Sequence, residues 1–150
     1  MIIREVTVDD GKWMYDTRNQ PHIVEQSLNS NSFSYQSHQQ WLSNVLTDSC
    51  KLLLVGEVEG ERAGVVRFDI NNTVSTVSIY LSHEFLGNGH GTCLLKQATA
   101  YMASLFTNVD VIRAEVLKKN QPSMHMFEKC GYQIFFSYEH HVEYRVKVSV

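Results

Sequence analysis

Leu86 to Gly91 reads LGNGHG, three glycines in six positions, between a β-rich run and a run with helical apolar spacing. Glycine costs more backbone entropy on folding than any other residue. A tight strand-to-helix turn needs only one. Three at alternate positions favour a second use. A helix N-terminus exposes unpaired N–H groups and the positive end of its dipole. Glycines let that backbone curl round an anion with no Cβ in the way.

The context narrows the anion. A phosphate-loop NTPase would close this turn with Gly-Lys-Ser/Thr, and no lysine is here. A dinucleotide fold would place the glycines after the first strand, with more β-α alternation to follow. Here they follow the fourth strand. The chain has 150 residues, enough for one domain with one core, and no repeat, low-complexity segment or linker divides it. The net charge of -3 and the interspersed charges point to neither a nucleic-acid nor a membrane partner. The N-terminus carries charge by its fourth residue, unlike a secretory signal. No apolar run approaches the ~20 residues of a spanning helix. Cys50, Cys93 and Cys130 are odd in number and lack metal-ligand spacing. Reduced thiols in a cytoplasmic protein are expected, with no metal.

The elements read in the order β α α β β β α β α β β. MIIREVTV alternates as a strand. DDGKWMYDTRN follows as a helix capped by Asp9 or Asp10, then a polar excursion with at most short structure, then a helix over SHQQWLSNVLT. KLLLVGEVEG and ERAGVVRFDI predict an antiparallel hairpin, and NTVSTVSIYLS a further strand. The helix after the glycines buries Leu94, Leu95, Ala98, Met102 and Leu105. VDVIRAEVLK is a strand, NQPSMHMFEKCG a helix with Pro122 in its first turn and Gly131 past its end. Two terminal strands close the chain. This order predicts an α/β fold with a mixed sheet and helices on both faces. His83 and Glu84 read as loop residues, and His140 and His141 as a solvated hairpin tip.

Two segments together resemble the GNAT superfamily of acetyl-CoA-dependent N-acetyltransferases, over essentially the whole chain. That family's pyrophosphate turn reads Arg/Gln-x-x-Gly-x-Gly/Ala, matched by Gly89 and Gly91, with Leu86 where Arg or Gln is usual. NQPSMHMFEKCGY resembles its N-x-x-(A/S)-x-x-(hydrophobic)-Y-E-K-x-G-F segment, with Asn120, Ser123, Glu128, Lys129, Gly131 and Tyr132 in register. The resemblance implies the GNAT fold, with about seven strands splayed between the fourth and fifth. It implies acetyl-CoA with its pantetheine arm along Ile79, Tyr80 and Leu81. The pyrophosphate would sit on the backbone of Leu86, Gly87, Asn88, Gly89, His90, Gly91 and Thr92. Asn120, Ser123 and Phe127 would complete the cofactor site.

Acetyl transfer requires that the amine lose a proton, the carbonyl be polarised and the departing thiolate be protonated. Glu115, five residues before Asn120, matches a glutamate that acts as general base through water in some family members. The usual tyrosine acid is Phe127, which has no proton to give. Ser123, His125 and Tyr80 are its neighbours by pattern, and Ser123 and Tyr80 join Glu115 as catalytic candidates. Orientation alone is the other route.

The N-terminal third resembles the sugar-nucleotide branch of the superfamily, the pseudaminic acid N-acetyltransferases that acetylate a 4-amino sugar on UDP. The matching residues are Arg18, Asn19, Pro21, Ser27, Phe33, His38, Trp41 and Leu42, then Arg67 and Asp69 in GVVRFD. Glu25 stands where that branch usually has arginine. The resemblance implies an acceptor site of Arg18, Asn19, Ser27, Asn29, His38, Arg67 and Asp69. Arginines there suit phosphate as bidentate donors. Trp41 and Leu42 read as core, and His38 doubles as a helix cap. Two alternatives stay open: an N-terminal amine acetylase of the ribosomal-protein type, and a non-catalytic acetyl-CoA-binding module. A homodimer through the C-terminal strands is also open.

Overall fold

The computed structural model describes residues 1–27 and 34–148. Strands β1 (Ile2–Glu5), β2 (Lys51–Val58), β3 (Glu61–Asn71), β4 (Val74–Leu81), β5 (Val111–Leu117), β6 (Gln133–Ser137) and β7 (His141–Lys147) form one sheet. It has seven strands in the order β1-β2-β3-β4-β5-β7-β6. Every pairing is antiparallel except β4 with β5. The helices are α1 (Gly11–Arg18), α2 (Pro21–Glu25), α3 (Tyr35–Leu46), α4 (His90–Leu105) and α5 (Gln121–Lys129). This is the mixed α/β GNAT fold that the sequence predicts.

The β2–β3 hairpin turns on Glu59 (φ 52) and Gly60 (φ 82), the paired positive φ of a two-residue type I′ turn. Alternation along the strands then builds two cores. Leu52, Leu54, Val66, Phe68 and Val77 face one side, where α4 delivers Leu94, Leu95, Ala98 and Met102 and α5 delivers Phe127. Leu53, Val55 and Val65 face the other, under Met14 of α1 and Leu42 and Val45 of α3. Leu105, expected on the buried face of α4, is 54 % exposed, because the helix ends there and its last turn runs past the sheet.

The first helix starts differently from expectation. A short 3-10 turn at Val8–Asp10 precedes α1, and neither aspartate caps the helix with its side chain. Asp10 instead turns back, accepting from the Thr7 N–H at 2.8 Å and from Arg4 at 2.8 and 2.9 Å. Arg62 Nε donates to the same carboxylate at 2.7 Å. His38 is likewise no cap. It lies inside α3, and Ser34 Oγ caps that helix by accepting from the Ser37 N–H at 3.1 Å. The polar excursion contains α2, a helix of 5 residues with Pro21 in its first turn.

Candidate active site

Strands β4 and β5 pair only where Val74–Thr76 faces Val111–Arg113. Past Thr76 they part. The Ser82 N–H donates to the Ala63 carbonyl at 2.8 Å. Backbone groups of an antiparallel strand alternate sides, so Tyr80 turns its N–H and C=O to β3 while Ile79 and Leu81 turn theirs into the gap. The Leu81 carbonyl lies 3.0 Å from His22 Nε2; the other groups seek partners, and an extended chain bearing amides, like the pantetheine arm, can supply them.

The glycine turn stands at the mouth of this gap. Gly87 (φ 81) and Gly89 (φ 78) take left-handed backbone, and Gly89 is the residue from which α4 springs. Gly91 serves another end: a Cβ there would lie 2.9 Å from Met126 Sδ and 3.3 Å from Leu81 Cδ1. Two glycines shape the turn and the third lets α4 settle on α5. The first N–H groups of α4 have no intrahelical acceptor and suit a phosphate. These residues fit acetyl-CoA.

A cavity of about 700 Å³ joins the gap to the α1–α3 side of the sheet. Of the cofactor candidates, Ile79, Tyr80, Leu81, Leu86, Gly87, Gly89, Gly91, Thr92, Asn120, Ser123 and Phe127 line it. Asn88 and His90 lie outside the lining; the His90 ring stands edge-on to Phe85 at 5.7 Å. Asn120 caps α5, its Oδ1 accepting from the Ser123 N–H at 3.2 Å. Phe127 is 3 % exposed and packs against Tyr132 and Tyr144.

Glu115 lines the cavity from β5. Its Oε1 accepts from Arg113 Nη2 at 2.7 Å, and the same nitrogen reaches Glu143 Oε1 at 3.1 Å. Arg145 Nε donates to the other oxygen of Glu143 at 2.6 Å. These hydrogen bonds, Arg113's foremost, outweigh burial and hold Glu143 below the usual carboxylate range.

The acceptor wall brings together Arg18, Ser27, His38 and Arg67. Arg67 lies over the Trp41 ring at 5.9 Å, within cation–π range. Trp41, read as core, is half-buried and lines the cavity, whereas Leu42 is core at 2 % exposure. Burial lowers the proton affinity of both Arg18 and His38, with the charge of Arg67 adding to the first and that of Arg18 to the second. The Tyr80 hydroxyl and Arg67 Nε are buried and make no hydrogen bond among the described residues, though Arg67 Nε is within ion-pair reach of Asp69. Burial raises the Tyr80 pKa, while the charges of Arg18 and Arg67 pull it down.

Two acceptor candidates are not brought to the wall. Asn19 closes α1, its Nδ2 donating to the Tyr15 carbonyl at 2.8 Å. Asp69 lies outside the lining, 3.4 Å from Arg67 Nε and 3.9 Å from Lys51 Nζ. Asn29 lies outside the described residues, as does Phe33. Sequence reading did not single out His22, Ile23, Gln26 or Met126 as site residues, yet all four line the cavity. Helix α2 is too short to show a period, so only its proline announced it.

A family model described as Acetyltransferase (GNAT) family matches residues 14–132. No curated protein matches the chain. Solved structures do. A spermidine N-acetyltransferase from Vibrio cholerae in complex with CoA and spermine is 18% identical, with a TM-score of 0.85 over 97% of this chain and 94% of its own. A ribosomal-protein-alanine N-acetyltransferase from Brucella melitensis is 21% identical, with a TM-score of 0.81 over 99% of this chain and 100% of its own. A GNAT-family acetyltransferase from Streptococcus pneumoniae is 18% identical, with a TM-score of 0.79 over 99% of both chains. With the family model covering most of its length, the chain belongs to the GNAT acetyltransferase family.

Proposed function

We propose that this acetyl-CoA-dependent N-acetyltransferase acts on the amino group of a nucleotide-activated amino sugar. One observation carries the reading. The Tyr80 hydroxyl and Arg67 Nε are buried donors that make no hydrogen bond among the described residues, Arg67 Nε meeting Asp69 only as an ion pair at 3.4 Å, and both residues line the cavity with Arg18. Donors left unpaired in a cavity favour a ligand rich in acceptors, and guanidiniums suit phosphate. Gln26, Ser27 and His38 add polar groups fit for sugar hydroxyls. A polycationic acceptor would meet Arg18 and Arg67 at a like-charge cost.

When bound, acetyl-CoA supplies a thioester carbonyl open to attack by an amine. The Ile79 N–H, turned into the gap, would polarise that carbonyl. Glu115, with Oε2 lacking a partner among the described residues, is the candidate base through water. Ser123 and Tyr80 are the hydroxyls from which the thiolate's proton would come, since Phe127 has none. The exposed edge strand β6, with Ile134, Phe135 and Phe136 at 53–59 % exposure, supports a homodimer through the terminal strands. Among the described residues no helix is long and apolar enough to cross a membrane; the cytoplasmic reading is supported by the unpaired Cys50, Cys93 and Cys130.

The test is CoA release from acetyl-CoA with a panel of UDP- and dTDP-amino sugars, and with N-terminal peptides as a second panel. Release with an amino sugar and none with peptides is expected. Release with peptides alone overturns the acceptor and leaves the acetyltransferase standing. Acetyl-CoA binding without release on either panel points to a binding module.

A further inference from the structure

His22 stands on α2, lines the cavity and matches no motif. Its Nε2 lies 3.0 Å from the Leu81 carbonyl oxygen. A carbonyl oxygen only accepts, so Nε2 carries the proton and donates it. In the neutral ring the other nitrogen, Nδ1, then holds the lone pair. Nδ1 has no hydrogen-bond partner among the described residues.

The place of that ring matters as much as its tautomer. Leu81 is one of the two residues whose backbone groups turn into the β4–β5 gap. Its oxygen has a second lone pair, so the histidine does not close the ledge to a bound amide. His22 therefore stands at the edge of the gap and lines the same cavity as Arg18, His38 and Arg67. Across the gap, one oxygen of Glu115 is already engaged by Arg113 at 2.7 Å.

We propose that His22, in place of the Glu115–water route, is the proton acceptor for the acceptor's ammonium group, freeing the lone pair that attacks the thioester. The inference rests on the acetyl-transfer reading of the cavity. The ammonium gives one proton to Nδ1. The nitrogen lone pair forms the C–N bond, and the C–S bond breaks with its electron pair on sulfur. The second nitrogen proton replaces the one that the Ser123 or Tyr80 hydroxyl gives to that thiolate, and the imidazolium returns its own to water.

The titratable and charged groups that face His22 come from three elements. His83, on the 3-10 turn after β4, has its ring centre 5.6 Å away. Glu84 on that turn accepts instead from the Ser82 hydroxyl at 3.3 Å. Arg18 of α1 lines the same cavity, and Glu25 of α2 is exposed. Among the described residues no carboxylate pairs with the ring.

The test pairs a spectrum with a pH profile. Long-range 1H–15N correlation on His-labelled enzyme without ligands reads the tautomer directly. The expected result at pH 8 is a protonated Nε2 and a bare Nδ1. In kinetics, His22→Gln keeps a donor for Leu81 but has no proton acceptor. It should lose about 100-fold or more in kcat, as for a general base. Acceptor KM should stay within about 3-fold, and the fall in rate on acidification seen in the parent should vanish. A protonated Nδ1 overturns the proposal. So does a His22→Gln enzyme that keeps its rate and acid limb while Glu115→Gln loses both. If the active amine proves to be a peptide, the same profiles are read with that peptide, and the spectrum needs no acceptor at all.

Discussion

Arg113 Nη1 donates to Thr76 Oγ1 at 3.2 Å, across the last register pair at which β4 and β5 still run together. The guanidinium is thus a tie at the crotch of the fork. The same side chain reaches Glu115 and Glu143. Arg113→Met removes the tie and leaves Glu143, 5 % exposed, with Arg145 as its remaining ion partner. The expected cost is about 1–3 kcal/mol in urea unfolding, as for a buried polar group losing a partner. A looser fork should also weaken acetyl-CoA binding by calorimetry. Arg113→Lys, which keeps charge without the fork geometry, should recover part of the stability.

The Arg4–Asp10–Arg62 cluster predicts how the fold answers acid. Burial, the largest single influence on Asp10, would raise its pKa. Hydrogen bonds from Arg4, the Thr7 N–H and Arg62 together outweigh it and hold the carboxyl well below the usual range. A group depressed in the folded state contributes stability above its unfolded pKa, near 3.9, and loses it as pH falls through the folded value. Asp10→Asn leaves two guanidiniums facing a neutral amide and should cost about 3–5 kcal/mol at pH 7. The difference between parent and variant should hold from pH 5 to 8 and shrink progressively below about pH 4. Urea midpoints across that range decide it.

Strand alternation and helix spacing are long-range patterns, so β2, β3, β4 and α4 could be read from sequence together with the glycine turn between them. The cofactor wall followed because its residues lie in two contiguous segments, 79–92 and 120–127. The acceptor wall is assembled from α1, α2, α3 and β3, and sequence shows no such meeting. Arg67 and Asp69 share a strand face, yet Asp69 is registered with Lys51 and lies beyond the cavity. Asn19 follows the last residue of α1, where its amide folds back on the helix rather than outward. His22 has no motif; only its bond to Leu81, 59 residues away, gives it meaning.

The glycine turn predicts two kinds of damage. Ala at Gly87 or Gly89 meets no neighbour but must hold a left-handed backbone, at about 1–2 kcal/mol. The expected outcome is weaker acetyl-CoA binding with a modest fall in melting temperature. Ala at Gly91 has ordinary helical backbone but a Cβ 2.9 Å from Met126 Sδ. Its cost should therefore fall when Met126 is shortened to Ala, while that of Gly87→Ala should not. A double-mutant cycle on thermal melting separates the two.

Arg67 and Tyr80 predict the acceptor's charge. If an anionic group of the acceptor takes the buried donors, Arg67→Gln removes a charge-assisted hydrogen bond of about 1.5–3 kcal/mol. Acceptor KM should rise roughly 10- to 100-fold by that energy. Acetyl-CoA affinity should not move, since Arg67 lies on β3, away from the gap. Tyr80→Phe should raise KM less, because a neutral hydroxyl contributes about 1 kcal/mol, and should not lower stability, since its hydroxyl has no partner among the described residues to lose. Salt should weaken acceptor binding in the parent and much less in Arg67→Gln. An acceptor KM that ignores both substitutions, or that falls with Arg67→Gln for a polyamine, would place the acceptor's charge elsewhere in the cavity.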